Sequence, residues 1–176
     1  MATNGAVKFL HNMITGSTTP LLRKVLYAAG SVATVKDGEI IEKTNTGDTK
    51  FVPLDSDYDM TGTVDPVAVS ATEIKASDRE GYYYAIVPRP GDVFEAELAT
   101  AGAVAKGTAL YYSTSQKLTT SAGTNIIGYA CGEDHYPTEQ GHLTDDGSPD
   151  SGTTIRSTSW VQFTFRLAVS YYKTLE

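Results

Sequence analysis

The sequence predicts an all-β fold: a small antiparallel β-barrel or sandwich with an extended N-terminal arm. Three observations carry this expectation. The chain closes on a long alternation of apolar and polar residues. Short apolar runs recur before it, separated by Gly, Pro, Asn and Asp. The opening residues hold several large apolar side chains that follow neither a helical nor a strand period.

The C-terminal alternation is the clearest element. Val161, Phe163, Phe165, Leu167, Val169 and Tyr171 take alternate positions, with Gln162, Thr164, Arg166 and Ser170 between them. Period two over this length means a strand with one buried face. Its length predicts a place inside a sheet, with Phe163, Phe165 and Leu167 buried together.

Other strands follow from the same test. Gly81–Val87 is rich in Tyr and Val and ends at Pro88. Asp92–Leu98 alternates Phe94, Ala96 and Leu98 against Val93, Glu95 and Glu97. The turn composition of Pro88-Arg89-Pro90-Gly91-Asp92 predicts that these two strands pair as a hairpin. Ala109–Ser113 and Ile126–Cys131 are shorter strands, while Ile40–Lys43 and Lys50–Leu54 flank a turn at residues 45–48. Residues 19–30 fit two readings. Thr19-Pro20 suits a helix start with Gly30 as its stop, whereas Val25-Leu26-Tyr27 suits a strand. A weak repeat links residues 29–41 to residues 101–110: in each, a small-residue stretch is followed by a Gly (Gly38, Gly107) that opens an apolar strand.

The expected organisation is an arm over residues 1–24 and a β domain over residues 25–176. The domain is interrupted by a polar excursion at 132–157 that is expected to be mobile or to rest on a neighbouring chain. In the arm, Val7, Phe9, Leu10, Met13 and Ile14 lack a local fold to bury them. Together with Lys8, Arg23 and Lys24 they are the candidate partner contacts.

Charge narrows the function classes. The chain of 176 residues has a formal charge of −7, which argues against a generic nucleic-acid binder. The distribution is uneven. Residues 1–36 hold Lys8, Arg23, Lys24 and Lys36 and no acid, leaving a strongly acidic remainder. A basic segment on an acidic body suits docking on an acidic neighbour. Cys131 is the only cysteine, so no internal disulfide forms, as expected of synthesis in a reducing cytoplasm. No apolar run approaches the roughly 20 residues of a membrane helix, and the start lacks the pattern of a secretory signal. No membrane partner is expected.

Sites for chemistry are weak. Cys131 and His135 have no third group to form a triad, and Cys131 ends an apolar strand, which reads as a buried structural thiol. His135 and His142 lie among acids without metal-ligand spacing. Asp55-Ser56-Asp57-Tyr58-Asp59 opens like a calcium loop, but Met60 and Pro66 stand where Gly and Glu are required. No catalytic residue, metal site or cofactor is expected. Tyr82, Tyr83 and Tyr84 suit either a sugar platform or a subunit interface.

Several of these stretches resemble the capsid-cement, or head-decoration, proteins of tailed bacteriophages. The likeness runs through Ala28-Ala29-Gly30 and Asp37-Gly38-Glu39-Ile40-Ile41. It continues in Val93–Leu98, the small residues 99–105, Gly107–Tyr112, the turn 114–117 and Ile127-Gly128-Tyr129-Ala130. It closes on the strand from Val161 to Val169. The excursion at 132–157 and the N-terminal arm depart from the shorter members. The resemblance implies a non-enzymatic structural role on the outer capsid surface of a virion, with the major capsid protein as partner and self-association as a trimer. Another phage structural β protein, from a tail or head fibre, and a carbohydrate-binding module are the alternative readings.

Overall fold

The structure is a computed structural model. It describes residues 7–27, 34–43, 50–54, 67–75, 80–113, 116–123, 126–131 and 160–166. These form strands β1 (Lys8–Asn12), β2 (Leu22–Tyr27), β3 (Ile40–Lys43), β4 (Phe51–Pro53), β5 (Val67–Ser70) and β6 (Gly81–Ile86). The chain continues through β7 (Asp92–Glu97), β8 (Ala109–Tyr112), β9 (Leu118–Thr119), β10 (Ile126–Ala130) and β11 (Trp160–Phe165). The all-β expectation is met, with both a barrel and an open sheet in one body.

The barrel has five strands in the order β2-β4-β3-β5-β6 and closes through β6 against β2. That contact runs from Leu22 opposite Ile86 to Tyr27 opposite Gly81. The second sheet has six strands in the order β1-β7-β11-β10-β8-β9. Each of its neighbouring pairs is antiparallel.

Strands β3 and β5 explain how the two units join. Ile41 and Ala68 point into the barrel, where they meet Val25, Tyr27, Phe51 and Ala85. Ile40, Val67 and Val69 point outward and pack on the sheet against Phe94, Leu110, Phe163 and Phe165. A strand buried on both faces needs apolar residues at consecutive positions, and Ile40-Ile41 and Val67-Ala68-Val69 supply them. Two hydrogen bonds reinforce the contact. The Ile40 N–H donates to the Gln116 side-chain oxygen at 2.8 Å, and the Val7 N–H donates to the Gly38 carbonyl at 2.7 Å.

An aromatic cluster centres the sheet's buried face. Phe165 meets Phe94 and Phe163 edge-on, each with ring centroids 4.9 Å apart. Phe9 joins from β1, 5.5 Å from Phe94. β11 lies between β7 and β10, inside the sheet as its alternation predicts. Leu167, Val169 and Tyr171 lie outside the described residues, as does the 132–157 excursion.

Three expectations are corrected or resolved. First, the arm assigned to residues 1–24 is largely built into the fold. Val7 is buried, Lys8–Asn12 is strand β1 paired with β7, and the boundary at residue 24 falls inside β2. The period was hidden by a bulge: Phe9 faces Phe94 and His11 faces Val93, so Leu10 is an extra residue that breaks the alternation. Second, β6 and β7 are not a hairpin. β6 belongs to the barrel and β7 to the sheet, so the Pro-rich turn carries the chain between units. Third, residues 22–27 are a strand. The runs Ile40–Lys43 and Lys50–Leu54 hold strands β3 and β4, which pair with each other, Glu42 opposite Val52. Gly38 and Gly107 have φ of 86° and 81°, the left-handed corners that the repeat anticipated.

Truncating the aromatic cluster tests this core. Phe165→Ala removes a side chain that is 5% exposed and touches two other rings. It is expected to cost about 3–5 kcal/mol in urea-induced unfolding.

Candidate functional site

Residues 12–22 and 86–92 run side by side from the sheet to the barrel. Asn12 pairs with Asp92 at one end and Leu22 with Ile86 at the other. Between them, the Met13 N–H donates to the Gly91 carbonyl at 2.7 Å and the Val87 N–H to the Leu21 carbonyl at 2.9 Å. The Arg89 guanidinium donates to the Thr19 carbonyl at 3.1 Å. This two-stranded ribbon carries most of the exposed large apolar residues described below.

Its sheet end is organised by a polar clamp. The Asp92 side chain is fully buried and accepts from the Asn12 amide at 2.7 Å, the Arg89 N–H at 2.9 Å and the Arg89 guanidinium at 3.1 and 3.2 Å. Burying a carboxylate is tolerated only when its lone pairs are met in this way. The Asn12 amide also donates to the Pro90 carbonyl. Its oxygen accepts from the Ile14 and Thr15 N–H groups at 3.0 and 2.9 Å and from the Thr15 hydroxyl at 3.1 Å.

The clamp holds a tight turn whose apolar residues face water. Ile14 is 72% exposed and Met13 42%. Gly91 allows this placement: its φ is 81°, and a Cβ there would stand 2.7 Å from Ile14 Cγ1. A buried ionic network that fixes an isoleucine in solvent contributes nothing to the core at that residue.

The barrel end presents the outer face of β2 and β6. Strand alternation puts Leu22, Lys24 and Leu26 opposite Ile86, Tyr84 and Tyr82 on this side. Tyr82, Tyr84 and Leu22 are 69%, 48% and 47% exposed. The Lys24 ammonium stands 5.4 Å from the Tyr84 ring centroid, a cation–π contact. Tyr83 turns the other way and meets Tyr27 edge-on at 6.2 Å.

The eight candidate contacts thus divide by position. Met13, Ile14, Arg23, Lys24 and Lys8 are exposed. Val7 is core, and Phe9 and Leu10 are half-buried in β1. The structure adds Leu22, Tyr82 and Tyr84, of which the tyrosines were noticed in the sequence without a way to tell outward rings from inward ones. Asn12, Arg89 and Asp92 were missed as supports, because the Asn12–Asp92 bond that joins them spans 80 residues.

Cys131 follows β10 and is 6% exposed. Burial pushes its thiol up from the ordinary 9.0 to about 11, against the opposing pull of Lys106 and a hydrogen bond with Thr164. His135, His142 and the acidic turn at 55–59 lie outside the described residues. Comparison with protein-family models, curated proteins and solved structures gives no match for this chain.

Two measurements test these assignments. Asp92→Asn removes the charge but keeps the shape, and is expected to cost about 1.5–3 kcal/mol by chemical denaturation while exposing the 13–20 turn to protease. For Cys131 the proton is held more tightly in the folded state. Its stabilising contribution is therefore complete below pH about 9 and lost as pH rises toward about 11. Iodoacetamide at pH 8 is expected to label native protein far more slowly than unfolded protein, and Cys131→Ala to flatten the alkaline fall in stability.

Proposed function

We propose that this chain is a non-enzymatic viral structural protein that binds the outer surface of a tailed-phage capsid and bridges neighbouring major capsid subunits. The observation that carries this reading is the clamped turn: Ile14 held in water by the buried Asn12–Asp92–Arg89 network. Such a preorganised apolar projection fits insertion into a pocket on a partner. The resemblance of the strand motifs to capsid-cement proteins supplies the kind of partner.

The energetics suit a repeated surface. Burying an exposed Ile is worth roughly 1.5–3 kcal/mol, modest for one copy and additive over a shell when each copy spans two subunits. Lys8 and Arg23 are exposed in a stretch without acids, which favours an acidic seam and steers approach to it. In this reading the chain is made in the host cytoplasm, joins the virion by assembly and associates as a trimer about three-fold positions. Such an arrangement allows each turn to face a different capsid subunit.

Particles of the encoding phage, prepared with and without the chain and imaged at a resolution that places each copy, test the proposal. Density is expected outside the shell at seams between capsid subunits. Density on a tail or fibre, or none, overturns it. Ile14→Asp is expected to weaken co-sedimentation with shells by roughly tenfold or more, the equivalent of about 1.4 kcal/mol, with the far-UV CD spectrum unchanged.

A further inference from the structure

The outer face of β2 and β6 has features that the capsid-binding reading does not use. Tyr82 and Tyr84 take alternate positions on one strand, so their rings leave the same side about 7 Å apart. They are 69% and 48% exposed on a closed barrel, whose strands have no free edge to shift. Lys24 braces the Tyr84 ring and keeps its ammonium beside it. None of the six residues on this face is acidic.

Size and charge select the occupant. The face is two strands wide and six residues long, at most on the order of 10 Å by 20 Å from ordinary strand spacing and rise, since Ile86 at one end packs on the core. That is roughly a quarter of the 800 Å² or so that each partner contributes to a standard protein interface. It is ample for a few sugar rings. Tyrosine rings stack on the C–H faces of pyranoses while their hydroxyls remain hydrated. A lysine fixed between such rings and water meets a carboxylate better than a neutral hydroxyl.

We propose that the outer face of β2 and β6 binds an anionic polysaccharide, with Tyr82 and Tyr84 as the stacking platform and Lys24 as the carboxylate contact. The site is separate from the clamped turn. A chain fixed to a shell through Ile14 would keep this face available for acidic glycans.

Native affinity electrophoresis of the full chain tests the proposal with polygalacturonate, alginate and polysialic acid as probes and dextran as the neutral control. Wild type is expected to be retarded by at least one acidic polymer, less so as salt rises, and not by dextran. Tyr82→Ala/Tyr84→Ala changes only exposed rings and is expected to raise the polymer concentration needed by about tenfold, with the CD spectrum unchanged. Lys24→Gln is expected to weaken retardation and remove much of its salt dependence. Ile14→Asp is expected to leave retardation as in wild type, which separates this site from the capsid-binding turn. Absence of retardation by all three acidic polymers overturns the proposal. So does equal retardation by dextran, or undiminished retardation of the folded double variant. A double variant that keeps its polysaccharide binding but loses shell attachment would show a protein interface instead.

Discussion

Everything in this molecule rests on one burial: the outer flank of a barrel covering one face of a sheet. Neither unit is complete alone. The barrel interior is small, filled by residues such as Ile41, Ala68 and Phe51, and its β3 and β5 strands would leave Ile40, Val67 and Val69 in water. The sheet would likewise expose Phe94, Phe163 and Phe165. Joining the two removes both sets of apolar surface at once, which is the dominant favourable term in folding. Gln116 is the polar counterpart. It adopts φ of 62°, unusual for a residue with a side chain, and its amide oxygen meets the Ile40 N–H.

The same junction explains where the candidate contacts sit. A chain that must cross between two packed units needs connectors, and the 12–22 and 86–92 segments are two of them. Laid together, they satisfy each other's backbone groups without joining either sheet. Some of their side chains still pack, Val87 and Ile86 among them, and Asn12, Arg89 and Asp92 form the clamp, while Met13 and Ile14 are left exposed. On such a ribbon an apolar residue is core or exposed according to where it sits: Val87 is buried and Ile14 is not. Position in the architecture, more than residue type, separates Ile14 from Val7.

Much of the fold is legible from residue order, and the misses share a cause. β11 is clear because Val161, Phe163 and Phe165 alternate without interruption. β3 and β4 are clear because Ile40–Lys43 and Lys50–Leu54 are short apolar runs close together in the chain. β1 is obscured by one extra residue at Leu10, which shifts every later side chain to the other face. The β6–β7 error is of another kind. Local turn chemistry at Pro88–Gly91 is the same whether the strands on either side pair with each other or with distant partners. Only the register of β6 on β2, and of β7 on β1 and β11, decides between these. The clamp was invisible for a similar reason, since Asn12 and Asp92 become neighbours only when β1 finds β7.

That last pairing has a consequence for how the chain matures on the ribosome. β1 is made before the other described strands, yet the strand it pairs with among the described residues, β7, begins at Asp92. The five barrel strands, β2 to β6, are consecutive in the chain and all precede β7. Through that interval Val7 and Phe9 have no sheet to enter, and the 13–20 turn has no Asp92 to hold it. Long-range pairing of this kind slows folding. It also means that Ile14 is not fixed in place until β7 has been synthesised, so the clamped turn is assembled late, after the barrel strands that precede β7 in the chain.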